Sequence, residues 1–160
     1  MTGDAVPHPR PAHLDPALIG LVLAGGAVGT AGRYGLSLAI PVVGGWHVAT
    51  LVANVVGAFA LGFLLEALLR PGAESRRTRR LRLGLGTGLL GGFTTFSSLA
   101  FEIERLFADG DPGTALAYAA ATLVLGVAAC VAGIVLGARV SAMRTDTGPG
   151  SADPSGGAAR

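Results

Sequence analysis

Gly88-Leu89-Leu90-Gly91-Gly92-Phe93-Thr94-Thr95-Phe96-Ser97-Ser98 lies inside an apolar stretch, Leu83–Phe107, that is long enough to cross a bilayer. Two adjacent glycines weaken a helix by about 1 kcal/mol each relative to alanine. Four hydroxyl side chains follow within five positions, and Ser and Thr compete for backbone groups and bend or open helices. The segment reads as a helix broken near the bilayer midplane. Non-helical backbone at that depth is tolerated only when it is buried in protein or lines an aqueous cavity. In transporters, carbonyls freed at such breaks coordinate cations, while helix N-termini and hydroxyls face anions. The stretch therefore points to an ion site, with a kinked structural helix as the plainer alternative.

Working outward, three further apolar stretches each approach the roughly 20 residues needed to span a membrane: Ala17–Ile40, His47–Leu69 and Thr114–Leu136. A soluble four-helix bundle would carry polar residues on its outward faces; these segments are apolar all round. With 51% hydrophobic and only 14% charged residues, the composition fits an integral membrane protein better than a soluble domain. The expected fold is all-α, with four transmembrane helices over residues 17–138 and the third of them broken. A Pro-rich arm, residues 1–16, and a Gly/Ser/Pro/Asp-rich tail, residues 139–160, read as disordered flanks. The arm does not resemble a cleavable signal peptide.

The basic residues are all Arg, and they are unevenly placed. Arg10, Arg70, Arg76, Arg77, Arg79, Arg80, Arg82, Arg139, Arg144 and Arg160 fall on one side of the expected topology, against Arg105 alone on the other. The positive-inside rule puts both termini and the central loop in the cytoplasm of a multi-pass protein of the inner (plasma) membrane. A net charge of +2 gives no reason to read nucleic-acid binding. Cys130 is a lone residue in an apolar run, and no Cys/His cluster has metal-ligand spacing. There is no nucleophile with a nearby base and no pair of carboxylates in a cleft, so an enzyme is not expected.

Polar groups within membrane spans are costly unless partnered and are candidates for function. Thr50 and Asn54 share one face of the second span at a spacing of four. Interhelical hydrogen bonding and pore lining are both open to Asn54. Tyr118 and Thr122 form a hydroxyl-bearing stripe on the fourth span, with Gly126 one turn further. Arg33, close to the end of the first span, could reach the interface or attract anions at a pore mouth. Glu66 and Glu102, near helix ends, read as interfacial. Gly25, Gly29 and Gly32 give the first span a small-residue face suited to close helix approach.

These residues resemble the small fluoride channels of the Fluc or CrcB family, over about residues 20–137. Gly26-x-x-Gly29-x-x-x-Arg33-Tyr34-x-x-Ser37 is similar to the family's first-helix pattern. Thr50-Leu51-x-x-Asn54-x-x-Gly57-x-Phe59-x-x-Gly62 is similar to its second. The Gly88–Ser98 segment is similar to its third and is the most specific; the fourth rests on Tyr118, Gly126, Gly133 and Gly137. The resemblance implies an antiparallel dimer with two pores that passively exports fluoride and so lowers its toxicity. It also implies one structural, non-transported sodium ion, held by the backbone carbonyls of Gly91 and Thr94 from both subunits. Phe96 would offer an aromatic edge to the pore. Asn54, Thr50, Thr95, Ser98, Tyr118 and Thr122 would fall on or near the polar track, and Arg33 at a vestibule or in a structural role.

Two departures from the family pattern bear on function. Leu99 stands where the family places a second Phe, and Gly126 stands where another hydroxyl would extend the stripe. An antiparallel homodimer also needs a chain that inserts both ways, which the Arg bias opposes. These features favour a homologous subunit of opposite orientation as partner over a second copy. A non-conducting structural partner of a sister channel subunit is the alternative reading. An unrelated small exporter is a third, and it predicts flux insensitive to changes at Phe96 and Asn54.

Overall fold

A computed structural model describes residues 15–68 and 75–145, with side chains as far as Met143. Most of the expected N-terminal arm, the turn around Arg70 and the tail beyond Thr145 lie outside the described residues. The described chain is helical, and its one strand-like feature is an isolated bridge between Val43 and Trp46.

Helix α1 (Pro16–Ala39) starts where Asp15 accepts a hydrogen bond from Ala17 N at 3.0 Å and Pro16 occupies the first turn. Both are favoured at that end, because the side chain satisfies an orphan N–H and Pro has none to lose. It stops at Ile40, which the following Pro41 biases away from helix. A tight turn through Gly44 and Gly45, with φ of 55° and 79°, leads into α2 (Val48–Leu68). Ser75 caps α3 (Arg76–Leu81), which runs directly into a π-helical stretch, Arg82–Leu90. A single turn, α4 (Gly91–Phe93), follows; α5 (Phe96–Ala108) and α6 (Pro112–Thr145) complete the chain. Asp111 accepts from Thr114 N at 3.0 Å and so caps α6, while Gly110 turns at φ 79°.

Helices α1, α2 and α6 are each long and apolar enough to cross a membrane. Their exposure is the inverse of a soluble protein's. Leu23, Leu38, Leu116 and Leu123 are all more than 60% exposed, whereas Thr50, Thr122 and Tyr118 are among the few buried side chains. A surface this apolar has lipid as its natural solvent. The fold is thus an all-α, multi-pass membrane protein. The segment expected as the third span is divided among the π-helical stretch, α4 and α5, none of which has that length. Residues 139–145, assigned from the sequence to the tail, continue α6 as helix.

Two helix pairs organise the molecule: α1 against the π-helical stretch with α4, and α2 against α6. Both rely on glycine. A Cβ on Gly29 would collide with the Leu89 carbonyl, and one on Gly92 with the Gly26 carbonyl. Across the other pair, Gly62 meets the Cys130 carbonyl and Gly133 the Phe59 carbonyl. Lipid offers no hydrophobic drive between helices, so backbone approach of this kind, with its dispersion and Cα–H···O contacts, supplies the attraction. A nine-residue π-helix is rare. Here Gly84, Gly86 and Gly88 are buried within it, and at Gly88 a Cβ would lie only 2.9 Å from the Val22 carbonyl of α1.

Two outcomes follow for thermal unfolding of the purified protein in detergent. Gly29→Val should cost about 2 kcal/mol or more, the range for overpacking a tight contact, while Gly20→Ala, with open space around it, should not lower the transition and should raise it slightly. The hydrogen bonds from Thr114 hold the Asp111 carboxylate below its ordinary value of 3.8. Its capping contribution is therefore present above pH 3.8 and is lost as pH falls through the lower folded value. Asp111→Ala should lower the melting temperature at pH 7, and that difference should shrink towards zero in strongly acidic buffer.

Candidate functional site

Between α4 and α5 the backbone leaves the helix for two residues. Thr94 (φ −83°, ψ 154°) and Thr95 (φ −151°, ψ 121°) are extended. An unbroken helix would direct Thr95 N–H to the Gly91 carbonyl; instead it donates to Asn54 Oδ1 at 2.8 Å. Asn54 Nδ2 returns a bond to the Thr95 carbonyl at 3.0 Å. The side-chain amide of α2 thus pairs with the peptide of Thr95 much as a neighbouring strand would. Ser98 N–H, which would go to the Thr94 carbonyl, donates to Thr95 Oγ1 at 3.2 Å, and this caps α5. The carbonyls of Gly91, Gly92, Phe93 and Thr94 lose their helical donors, and that of Gly92 accepts from Thr30 Oγ1 at 3.4 Å.

The two sides of the break differ in polarity. The C-terminal end of α4 presents carbonyl oxygens, and the N-terminal end of α5 presents N–H groups together with the hydroxyls of Thr95, Ser97 and Ser98. Partial charges at helix ends make the first side favourable to a cation and the second to an anion. Thr95 Oγ1 donates to Ser98 Oγ at 3.1 Å and lies 3.3 Å from Ser97 Oγ, so the hydroxyls form one connected group. Thr94 Oγ1 donates back to the Leu90 carbonyl at 2.9 Å, so its side chain is already committed.

One turn from this group the polar line continues. Thr50 Oγ1 donates to Glu102 Oε1 at 2.6 Å, and Tyr118 Oη donates to Glu102 Oε2 at 2.7 Å. Tyr118 Oη also lies 3.3 Å from the His47 carbonyl, and Trp46 covers the ring edge-on at 5.7 Å. The antiparallel register of α2 and α5 brings Asn54 beside Thr95 and Thr50 beside Glu102. Helix α6 closes the second group with Tyr118.

Of the residues singled out from the sequence, Thr50, Asn54, Thr95, Ser98 and Tyr118 come together here. Thr122 does not join them: it is buried, and its hydroxyl donates to the Tyr118 carbonyl of its own helix at 2.8 Å. Phe96 turns outward and is 82% exposed. Leu99 instead packs with Tyr118, Leu106 and Ala115 in the small core. Arg33 lies apart on α1, with its Nε buried and without a hydrogen-bond partner among the described residues. Glu102 is the residue that sequence reasoning missed. Its nearness to the end of α5 suggested the interface, yet both oxygens accept internal hydroxyls. The signal for it lay in the spacing: Glu102 falls one turn after Ser98, on the same helix face.

A carboxylate that accepts two such bonds loses one partner with Tyr118→Phe. That change should destabilise the detergent-solubilised protein by about 1–3 kcal/mol, the cost of an unmet buried polar group. Thr122→Val, which removes only a bond within one helix, should cost less.

A family model described as CrcB-like protein, Camphor Resistance (CrcB), matches residues 20–134. A fluoride-specific ion channel FluC 2 of Leifsonia xyli subsp. xyli is 48% identical over 134 residues, covering 84% of this chain and 92% of that protein. A fluoride-specific ion channel FluC of Deinococcus radiodurans is 45% identical over 119 residues, 72% of this chain and 91% of the relative. One from Caulobacter vibrioides is 43% identical over 124 residues, 76% and 96% respectively. The match spans α1 through most of α6, including both polar groups, and on it the chain belongs to the CrcB family, a family of ion channels and not of enzymes.

Proposed function

We propose that this chain is a subunit of a fluoride-specific channel that lets fluoride leave the cytoplasm passively. The observation that carries the proposal is the polar line from Asn54, Thr95 and Ser98 to Thr50, Glu102 and Tyr118, set inside an otherwise apolar helical protein. Fluoride is small and tightly hydrated, so a path for it must replace water with O–H and N–H donors. Hydroxyls and the Asn amide are the neutral side chains able to do so. Glu102 gathers the hydroxyls of Thr50 and Tyr118 at one place, where an arriving anion competes for them. An inside-negative potential drives the anion outward by about 2.3 kcal/mol per 100 mV, so no coupled energy source is required.

In this reading the π-helical stretch, α4 and α5 together make the third of four spans, with the interruption at Thr94 and Thr95 near the midplane. The one-sided Arg distribution supports cytoplasmic termini and an inner-membrane location in this reading. The residues at the break suit a structural sodium ion: the Gly91 and Thr94 carbonyls are hard oxygen donors released from the helix, two from each subunit of a dimer. Such an ion supplies fixed positive charge beside an anion path. Phe96 is exposed on one chain, and in this reading its electropositive ring edge faces a pore completed by the partner.

A second reading, a non-conducting partner of an active sister subunit, draws on Leu99. Its side chain belongs to the intrachain core and supplies no second aromatic beside Phe96. Together with the one-sided Arg distribution, this favours pairing with an oppositely oriented homologue.

Fluoride efflux from liposomes holding the purified protein, with sodium present and chloride as control, separates these readings. The proposal predicts fluoride-selective efflux, from the protein alone or when it is co-reconstituted with an oppositely oriented homologue, and a loss of at least tenfold with Tyr118→Phe. Efflux only with the homologue, unchanged by Tyr118→Phe in this chain, would establish the non-conducting partner instead.

A further inference from the structure

Four arginines in α3, Arg76, Arg77, Arg79 and Arg80, are followed at once by Arg82 at the start of the π-helical stretch. Their placement works against the helix that holds them. Arg76 and Arg77 occupy the first turn, where the helix end is already positive, and no acidic side chain shares that turn. Arg76 and Arg80 are like charges at a spacing of four, and Arg76 with Arg79 and Arg77 with Arg80 are like charges at a spacing of three; both arrangements are unfavourable on a helix surface. Arg76, Arg77 and Arg80 are exposed, and among the described residues Arg76, Arg77, Arg79 and Arg80 form no salt bridge. Like charges gathered at the start of this helical segment suit an anionic surface outside the chain.

The neighbouring side chains indicate what that surface is. Leu81 and Leu85 follow Arg77 at intervals of four and remain 38% and 41% exposed. Guanidinium groups thus sit immediately before apolar side chains on a helix that continues into the membrane-embedded part of the protein. That sequence of chemistry matches a phospholipid, with phosphate at the headgroup and acyl chain beyond it, and it does not match a free phosphate ion. All twelve basic residues of the chain are Arg, the side chain whose planar fork binds phosphate in bidentate fashion.

We propose that α3 is a binding surface for anionic phospholipid headgroups, with the arginines on the phosphates and Leu81 and Leu85 along the acyl chains. The proposal rests on the reading of the following segment as a membrane span. Charge near an anionic leaflet strengthens binding by about fivefold per arginine. Bound lipid would fix α3 at the membrane surface and so anchor the start of the π-helical stretch that packs on α1.

Native mass spectrometry of the full-length protein in detergent, with phosphatidylglycerol and phosphatidylcholine added in equal amounts, tests this. At least tenfold preferential retention of phosphatidylglycerol is expected. The preference should fall to within twofold in R76Q/R77Q/R79Q/R80Q, and in the corresponding four-Lys variant, which keeps the charge but not the fork, it should weaken and stay above twofold. If the Gln variant does not fold, the wild-type preference should instead collapse in a buffer of high ionic strength. Equal retention of the two lipids, a preference untouched by both the Gln substitutions and salt, or displacement of phosphatidylglycerol by millimolar inorganic phosphate would overturn the proposal. Fluoride efflux measured on the same samples is a separate readout, so failure of the channel reading and failure of the lipid site give different results.

Discussion

The exchange of hydrogen bonds between the Asn54 side chain and the Thr95 peptide is the constraint on which the rest of the site depends. A helix interrupted in an apolar setting leaves N–H and C=O groups that lipid cannot satisfy, at several kcal/mol each. The Asn54 amide carries an acceptor and a donor side by side, so it meets the N–H and the C=O of one peptide together, and it does so from a different helix. The break is thereby tied to α2, and through α2 to α6, the most extensive helix pairing in the molecule. With Thr95 engaged in this way, its hydroxyl is free to cap α5 and to organise Ser97 and Ser98.

The glycine contacts serve the same end by another route. Close approach of α1 to the π-helical stretch and α4 holds the first side of the break, and the α2–α6 contact holds the second. In a protein whose outer surface is apolar, these backbone approaches and a handful of buried hydroxyls carry the specificity that a large core carries in water. The core itself is small: Leu106, Ala115 and Tyr118, flanked by Trp46, Leu51, Leu99 and Ile103. Tyr118 belongs to both systems, with its ring in that core and its hydroxyl on Glu102.

Much of this was legible in the residues. Apolar runs of suitable length marked α1, α2 and α6, because burial in lipid leaves no amphipathic pattern to misread. The adjacent glycines and the run of hydroxyls marked the stretch where the backbone departs from helix at Thr94 and Thr95. The four-residue spacing of Thr50 and Asn54 put both on one face, as found. Other features depend on how separate elements meet, which local pattern does not encode. Glu102 is recruited by hydroxyls from α2 and α6. The opposite fates of Phe96 and Leu99, one outward and one in the core, are set by the rotation of α5 after the break. The π-helical stretch Arg82–Leu90 packs closely along α1. The extra turns of α6, through Arg139 to Thr145, escaped notice because the composition of the tail outweighed the helix-forming Ala, Met and Arg in its first residues.

The most direct measurement is hydrogen exchange at the Thr95 amide in detergent, by NMR, for the wild type and Asn54→Leu. Slow exchange in the wild type that becomes fast in the variant, while the amides of α2 and α6 keep their protection, is the result this account predicts. Equal protection of Thr95 in the two proteins would mean that Asn54 does not hold the break, and would contradict it.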